Sequence, residues 1–135
     1  MLPFSITISP RSYETDALGH INNNAISAWL EVVRVSYLET LVPEDGAGGM
    51  NWVLASLHID FLAETFYGAD VVVRITGVTL GNSSVSFDCD MTQRDRTTVK
   101  GRAVMVFLDS QAKKPSPLPQ ALRAQLLREK GNLKG

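Results

Sequence analysis

One segment of the chain combines a carboxylate, an imidazole and three amides directly before an apolar stretch. Asp16, Gly19 and His20 are followed by asparagines at 22–24, after which the apolar stretch begins. If that stretch is a helix, its first backbone N–H groups lack intrahelical acceptors and lie at the positive end of the helix dipole. Such an end can polarise a carbonyl group and hold the oxyanion formed when the carbonyl is attacked. A nearby carboxylate can serve as nucleophile or as the base that activates water.

Each of these residues also has an ordinary structural explanation. Loop aspartates commonly accept backbone hydrogen bonds in Asx turns, and turn chemistry alone accounts for Asp16. His20 and His58 fit hydrogen-bonding roles in a turn and in a strand. Glu31 and Arg34, three residues apart on the expected helix, form a local ion pair by default. A carboxylate in an otherwise apolar stretch nevertheless needs a partner or a function, so both interpretations stay open on the residues alone.

Composition excludes several classes of protein. The chain has 135 residues and a formal charge of -1, from 13 basic and 14 acidic side chains, so no field attracts nucleic acid or a membrane surface. No apolar run approaches the roughly 20 residues that span a bilayer. The N-terminus lacks the pattern of a signal peptide. These features predict one cytoplasmic domain with neither nucleic-acid nor membrane partners.

Neither metal nor phosphate motifs are present in the sequence. Cys89 is the single cysteine and falls in the apolar register of a strand, which predicts a core residue. Asp16, His20 and Glu31 lack the spacing of a metal site. The glycine-rich residues 46–49 are expected to end the long helix, and they lack the Gly-Lys-Ser/Thr ending of a phosphate-binding loop. We therefore expect neither a metal nor an organic cofactor.

The rest of the chain predicts the elements that must position this segment. Residues 4–9 alternate apolar and polar side chains, as in a short strand. From Asn24 to about residue 41, apolar residues recur every three or four positions, which predicts a helix capped by one of the asparagines at 22–24. Because Val32 and Leu41 extend its apolar surface, we expect this helix to be buried on most sides. Further strands are predicted at residues 52–62, 70–78, 84–93 and 98–109.

Short connections between these strands force antiparallel pairing, because parallel neighbours need a long crossover. The prediction is an α+β protein in which an antiparallel sheet of about five strands wraps around one long helix. This domain is expected to span residues 1–112. Residues 113–135 then form a proline-rich linker and an amphipathic helix that carries Leu122 and Leu126 and ends at Gly131.

At the helix start the sequence resembles a known family. The motif D-A-L-G-H-I-N-N, followed by W-L-E-V-V-R, resembles the hotdog-fold acyl-CoA thioesterases of the 4-hydroxybenzoyl-CoA thioesterase type. It is also similar to the Asp-x-x-x-His-x-Asn-Asn segment of plant acyl-carrier-protein thioesterases. The resemblance is specific over residues 13–34 and looser to about residue 110, through H-I-D-F-L and Y-G-A-D. It implies hydrolysis of an acyl thioester of coenzyme A or of acyl carrier protein, in lipid metabolism.

The resemblance also implies roles for individual residues. Asp16 falls on the catalytic aspartate, and Asn23 falls where the helix begins and its backbone N–H would face the thioester oxygen. His20 and Glu31 match the histidine and glutamate that the plant-type enzymes use. A thiolate leaves without a strong general acid, because thiols have pKa values of roughly 8.5.

Three departures from the family pattern concern substrate binding, for which Gly19, Ile26 and Trp29 are the candidates. Ile26 and Trp29 stand where the family commonly has tyrosines, which favours an apolar acyl group. The usual Arg-Pro after the strand is here A-E-T, residues 63–65. The coenzyme contacts are therefore open between ordinary solvated charges and a basic set comprising Arg94, Arg96, Lys100 and Arg102.

Two rival functions and one assembly prediction follow. A hotdog dehydratase or hydratase would carry a His-Phe-Pro or related motif, whereas His20 is followed by Ile-Asn. A non-catalytic acyl-thioester-binding protein would have no need to keep Asp16. A lone sheet leaves unpaired edges that proteins usually pair or cover, and hotdog proteins join subunits edge to edge. We therefore expect a homodimer or a homotetramer.

Overall fold

The computed structural model describes residues 2–41, 51–109 and 111–131. Within these ranges the chain forms five strands, two α-helices and one turn of 3₁₀ helix at Ser12–Glu14. The strands are β1 (Phe4–Ile8), β2 (Trp52–Phe61), β3 (Val71–Leu80), β4 (Ser84–Gln93) and β5 (Arg96–Phe107). The helices are α1 (Asn23–Leu38) and α2 (Gln120–Gly131).

The strands form one antiparallel sheet in the order β1-β3-β4-β5-β2. Tight turns join β3 to β4 and β4 to β5, and β4 pairs with β5 from Ser84 opposite Val106 to Gln93 opposite Arg96. The expected antiparallel pairing is confirmed. Connections as short as these two turns leave no room for the crossover that parallel neighbours need. β1 and β2 are the two edge strands.

The core lies between α1 and one face of the sheet. Ile26, Leu30, Val33 and Tyr37 on α1 are each at most 2 % exposed. Alternate residues of the central strands meet them, since side chains of a strand point to opposite faces in turn. These strand residues include Val73, Ile75, Val85, Phe87, Met91 and Val99. Burial of each such side chain contributes about 1.5–3 kcal/mol, so this interface holds α1 in place.

Helix α2 closes the core beside the C-terminal end of α1. Its segment contributes three leucines to the same buried cluster, namely Leu118, Leu122 and Leu126. The hydroxyl of Tyr37 donates to a carboxylate oxygen of Glu129 at 3.2 Å. The guanidinium of Arg123 donates to the backbone carbonyls of Gly81 and Asn82 in the β3–β4 turn. Apolar burial and these polar contacts therefore fasten α2 to both α1 and the sheet.

Two features of α1 differ from the expectation. The helix begins at Asn23, one residue earlier, because Asn22 takes the N-cap position, and it ends at Leu38 rather than near residue 41. The side chain of Val32 is 47 % exposed, so the expectation that α1 is buried on most sides is wrong. The sheet covers one face of α1, and within the described part of this single chain the opposite face has no covering layer. The expected helix end at residues 46–49 lies outside the described residues.

Arg34 and Cys89 are neighbours in the core. Cys89 is buried, as predicted, and burial raises the pKa of its thiol to about 12. Arg34 is only 3 % exposed, and burial lowers the pKa of its guanidinium. Its expected ion pair with Glu31 does not form: the Nε and one terminal nitrogen of Arg34 have no partner among the described residues, while Glu31 is exposed. Glu31 acts on Arg34 through its charge alone.

Candidate functional site

The site is built around the N-terminus of α1. Asn22 caps the helix, because its side-chain oxygen accepts the backbone N–H of Ala25 at 2.8 Å. Its own N–H donates to the carbonyl of Glu14, which ties the helix start to the preceding loop. Asn23 is the first helical residue, so its backbone N–H has no intrahelical acceptor. The residue is also exposed. A partial positive charge therefore faces solvent at this point.

Asp16 lies in the tight loop that leads to this helix. One carboxylate oxygen, Oδ1, accepts the backbone N–H of Leu18 at 2.8 Å and that of His20 at 3.1 Å. This is the Asx turn expected for a loop aspartate. The other oxygen, Oδ2, accepts no hydrogen bond from the described residues, and the side chain is 46 % exposed. The two interpretations of Asp16 are therefore compatible, because one oxygen shapes the turn and the other is available for chemistry.

Two carboxylates lie near one nitrogen of the His20 imidazole. Its Nδ1 lies 3.9 Å from Oδ2 of Asp16 and 3.3 Å from Oε2 of Glu64. The ring of Phe66 meets the imidazole edge-on at 5.0 Å. A carbonyl of Thr65 accepts the N–H of Ile21, so the loop after β2 is bonded directly to the Asp16 loop. Both carboxylates therefore face the same ring nitrogen, Nδ1, and the ring of Phe66 packs against the imidazole.

A pocket opens beside the helix start. It has a volume of about 460 Å³ and reaches from Asn23 and Ile26 on α1 to the segment after β2 and to Arg96. Its apolar walls come mainly from Ile21, Ile26, Phe61, Leu62, Ala63 and Phe66. Asp16 does not line it but adjoins it through His20 and Glu64, and Glu64 is a lining residue. The pocket offers space for an apolar group next to the free N–H of the helix.

The structure separates the other predicted residues into those near the pocket and those away from it. Ile26 lines the pocket, whereas Trp29 is buried and donates from its ring N–H to Glu14 at 3.1 Å. Gly19 adopts φ +81, a conformation that favours glycine, so its position serves the turn. Glu31 lies two helical turns beyond Asn23, exposed and apart from the Asp16–His20–Glu64 cluster. Its assigned role stays a prediction.

Glu64 is the site residue that the sequence did not reveal. It is 44 positions from His20 in the chain, and its only signal was that the A-E-T segment replaces the Arg-Pro expected there. The backbone bridge between His20 and Phe66 brings the two segments together. Only the sheet topology supplies that proximity.

The four basic residues considered for coenzyme contacts lie in two different places. Arg94 and Arg96 line a groove next to the pocket, in the β4–β5 turn and at the start of β5. Lys100 and Arg102 face a separate cavity on the sheet together with His58 and Asp88. The first pair alone adjoins the candidate site.

The described residues hold no cluster of three or more histidine, cysteine or acidic side chains placed to bind a metal ion. Neither α1 nor α2 is long and apolar enough to cross a membrane, and the same holds for all the chain that the structure describes.

Comparison with known proteins identifies the family and the fold of the chain. The model of the Thioesterase-like superfamily matches residues 10–126, beyond the reach of the motif resemblance and into α2. A predicted thioesterase from Bacillus stearothermophilus is 31 % identical, with a TM-score of 0.86 and 98 % of each chain covered. A thioesterase from Thermus thermophilus, solved with coenzyme A and Zn, is 30 % identical, with a TM-score of 0.80 over 90 % of this chain and 95 % of that one. No curated protein matches the chain in sequence.

A more distant structure supports the fold alone. A hypothetical protein from Staphylococcus aureus, in complex with CoA, is 13 % identical but has a TM-score of 0.88 over 98 % of this chain and 87 % of that one. The architecture is the predicted hotdog thioesterase fold, with its five-stranded antiparallel sheet, its long helix and a C-terminal helix. By its matched family and by its fold, this chain belongs to the Thioesterase-like superfamily.

Proposed function

We propose that the protein hydrolyses an acyl thioester, with acyl-CoA as the preferred substrate, and that Asp16 is the catalytic carboxylate. The observation that carries the proposal is the free Oδ2 of Asp16, in a loop bonded to the exposed N-terminus of α1. Membership of the Thioesterase-like superfamily supports thioester hydrolysis as the reaction class. The coenzyme A in the Thermus relative supports coenzyme A as the thiol.

The chemistry needs few groups. The acyl chain enters the apolar pocket, and the thioester oxygen accepts the backbone N–H of Asn23, which holds the oxyanion when the carbonyl carbon is attacked. Oδ2 of Asp16 either attacks that carbon, giving a mixed anhydride that water then cleaves, or removes a proton from the attacking water. In both routes the C–S bond breaks and the thiolate departs, and it picks up a proton from solvent.

His20 and Glu64 act as neighbours of this carboxylate. The imidazole contacts Glu64 at 3.3 Å and faces Oδ2 of Asp16 at 3.9 Å, so it can hold the carboxylate in position or guide water to it. We include Glu64 as a positioning residue, because it reaches the pocket through its own side chain and Asp16 through His20. The role that the resemblance implies for Glu31 is tested against Glu64 below.

Substitution of Asp16 by Asn tests the proposal. The asparagine oxygen can still accept both turn hydrogen bonds, so folding should be preserved. The amide can neither attack nor deprotonate water, and turnover should therefore fall roughly a hundredfold or more. The measurements are thiol release from a series of acyl-CoA chain lengths and the melting temperature of each variant. Binding of substrate should survive, because the pocket and the helix start are unchanged.

Asp109→Asn is the matched control for this experiment. Oδ1 of Asp109 accepts the N–H of Gln111 at 3.1 Å in the same type of turn, in the β5–α2 connection. This variant should hydrolyse acyl-CoA at the parent rate. An Asp16→Asn protein within a few-fold of the parent rate would remove Asp16 from the mechanism.

The same assay separates the rival functions. A hydratase or dehydratase would change the acyl chain without releasing thiol, and a binding protein would retain acyl-CoA unchanged. The apolar walls of the pocket favour an aliphatic acyl group. Parallel assays with acyl-CoA and acyl carrier protein distinguish the two thiols, and hydrolysis of fatty acyl groups would place the protein in lipid metabolism.

We also propose that the chain assembles as a homodimer through β2, with a homotetramer as the larger form. Among the strands that the structure describes, β2 pairs with β5 alone, and the apolar side chains of Val53, Leu54 and Phe61 are about half exposed. A ten-residue edge of this kind is usually paired or covered, and a two-fold axis would pair it with its own copy. Light scattering at micromolar concentration should give at least twice the chain mass of 14.8 kDa. A monomer would contradict the proposal.

A further inference from the structure

The segment that follows β2 joins the candidate site to the hairpin of β4 and β5. This segment, residues 62–69, runs from the end of β2 almost to the start of β3. It carries Glu64, whose carboxylate lies 3.3 Å from Nδ1 of His20, and Phe66, whose ring packs edge-on against the same imidazole. The position of the segment therefore determines where both contacts to His20 are made.

Successive residues of this segment bond to different parts of the protein, as in a strand. The carbonyl of Thr65 accepts the N–H of Ile21 at 2.8 Å, and the N–H of Tyr67 donates to the carbonyl of Gly19 at 3.3 Å. Both bonds lead to the loop that carries the candidate site. Phe66, between them, bonds with its N–H and its carbonyl to a side chain at the end of β4. Without that side chain, two backbone groups would lose their partner, which is costly wherever water cannot replace it.

The side chain that binds Phe66 is Gln93, the last residue of β4, and it is buried. Its Oε1 accepts the N–H of Phe66 at 2.9 Å, and its Nε2 donates to the carbonyls of Phe66 at 2.7 Å and of Ala69 at 2.9 Å. A carboxamide combines an acceptor with two donors, so it pairs with Phe66 as the backbone of a neighbouring strand would. An apolar side chain could form none of these three bonds.

A pair of buried threonines holds the same segment on both sides of Glu64. The hydroxyl of Thr65 donates to the hydroxyl of Thr98, on β5, at 2.9 Å. The carbonyl of Thr98 accepts the N–H groups of Leu62 and Ala63. Glu64 therefore lies between residues that are fixed to β5, and the bonds of Phe66 to the end of β4 continue this attachment.

We propose that Gln93 is a positioning residue for thioester hydrolysis, which holds Phe66 and thereby keeps the Glu64 carboxylate at His20. The inference rests on the proposed function, in which His20 and Glu64 act beside the catalytic carboxylate. Among the described residues, the side chain of Gln93 bonds only to the backbone of the segment, so its effect on the reaction passes through that segment. Small displacements of catalytic groups are expensive: about 1 Å can cost roughly a hundredfold in rate.

Gln93→Met tests the proposal, because methionine is about as long as glutamine and flexible enough to fill the same space without these hydrogen bonds. The turnover number for thiol release, kcat, should fall roughly tenfold per folded enzyme, since the segment shifts relative to His20. KM should stay within about twofold of the parent value, because binding of the acyl chain depends on the apolar pocket walls.

Two controls exclude general effects of the substitution. Gln111→Met makes the same change at an exposed glutamine in the β5–α2 connection and should keep the parent kcat. Leu126→Ala lowers stability in α2, where the side chain is fully buried, and should also keep the parent kcat. A tenfold loss confined to Gln93→Met therefore cannot result from reduced stability alone.

A double-mutant cycle with Glu64→Gln separates a positioning role from a structural one. If Gln93 acts through the Glu64 carboxylate, Gln93→Met should lower kcat by less than about twofold in the Glu64→Gln background, because the contact that it positions is already lost. Independent effects would instead multiply to roughly a hundredfold, and that result would overturn the proposal. A parent-like kcat for Gln93→Met alone would overturn it as well.

The imidazole NMR signals of the two histidines provide a readout that needs no activity. The ring of Phe66 lies 5.0 Å from that of His20, whereas His58 lies on β2 beside Asp60. Because an aromatic ring shifts the resonances of nearby protons, Gln93→Met should move the His20 signals and leave those of His58 in place. Unmoved His20 signals in the folded variant would overturn the proposal. A parent that releases no thiol would reject the proposed function, and the His20 signals would still report whether Gln93 sets the position of the segment.

Discussion

The two ends of α1 are constructed in opposite ways. At the N-terminal end, polar side chains from two loops lie near the backbone N–H of Asn23, which has no intrahelical acceptor, and a pocket opens beside it. Asp16 and Glu64 are both exposed there. At the C-terminal end, Tyr37 and Leu38 are buried against the sheet and the leucines of α2. One helix therefore joins an exposed polar site to a buried apolar core. The apolar contacts at its C-terminal end hold the helix in place, because the exposed residues at its N-terminal end bury little surface.

This difference separates stability from catalysis. Residues near α2 should change the free energy of unfolding and leave turnover intact, because they lie far from the pocket. The polar residues around Asn23, such as Asp16 and Glu64, should change turnover and leave unfolding nearly unchanged, because they are exposed and bury little apolar surface. Three pairs of substitutions test that division, beginning with the largest expected effect.

Leu126→Ala removes a fully buried side chain of α2 and should lower the free energy of unfolding by about 2–5 kcal/mol. Leu127, its neighbour, is 53 % exposed, so Leu127→Ala should change that free energy by less than about 0.5 kcal/mol. Urea unfolding measures both. Turnover by the folded fraction should equal that of the parent in each variant, and a large drop for Leu126→Ala would show that the two ends are coupled.

A second pair of substitutions, Glu64→Gln and Glu31→Gln, compares two carboxylates. Glu64 lies beside His20 in the structure, and Glu31 is the residue that the sequence resemblance implies. Glu64→Gln removes the charge beside His20 and should lower kcat roughly tenfold through misplacement of the catalytic groups. KM and the urea midpoint should change little. Glu31→Gln should leave kcat and KM near the parent values, since Glu31 is exposed and apart from the cluster. The reverse pattern would support the role in the site that the resemblance implies for Glu31.

Tyr37→Phe should have the smallest effect, about 0.5–1.5 kcal/mol of unfolding free energy, because it removes one hydrogen bond to Glu129 and keeps the ring. Burial, together with the charge of Glu129 and the hydrogen bond to it, raises the pKa of the Tyr37 hydroxyl. A raised folded-state pKa gives stability that is complete below the unfolded value, about 10, and declines at higher pH. The difference in free energy of unfolding between the parent and Tyr37→Phe should therefore shrink above about pH 10. The exposed control Tyr13→Phe should match the parent throughout urea unfolding at each pH.

Local patterns in the sequence predicted most of the fold. Residues 84–92 alternate polar and apolar side chains without interruption, and β4 spans the ten residues that were predicted, Ser84–Gln93. The burial of α1 was overestimated because apolar spacing shows which residues can be buried and not how many layers cover a helix. Val32 fits the apolar pattern and is still half exposed.

Only those residues of the candidate site that lie close together in the sequence could be predicted. Asp16, His20 and the asparagines fall within eight residues of one another, so their proximity needs no tertiary information. Glu64 and Arg96 reach the pocket through the sheet topology, which no spacing along the chain encodes. Trp29 lines a different cavity, beside β1 and Arg11, so its expected role in substrate binding stays a prediction.

The unpaired edge of β2 also has a consequence for the newly made chain. In the described part of a single chain, the outer edge of this strand presents backbone groups without a strand partner, flanked by Val53, Leu54 and Phe61, a combination that templates aggregation. His58 and Asp60, exposed and paired at 3.0 Å near the middle of that edge, are suited to be gatekeepers that disfavour misdirected strand addition. If the proposed homodimer covers this edge, its formation removes the exposed template, and dilution of the protein below the concentration at which it dimerises exposes the edge again.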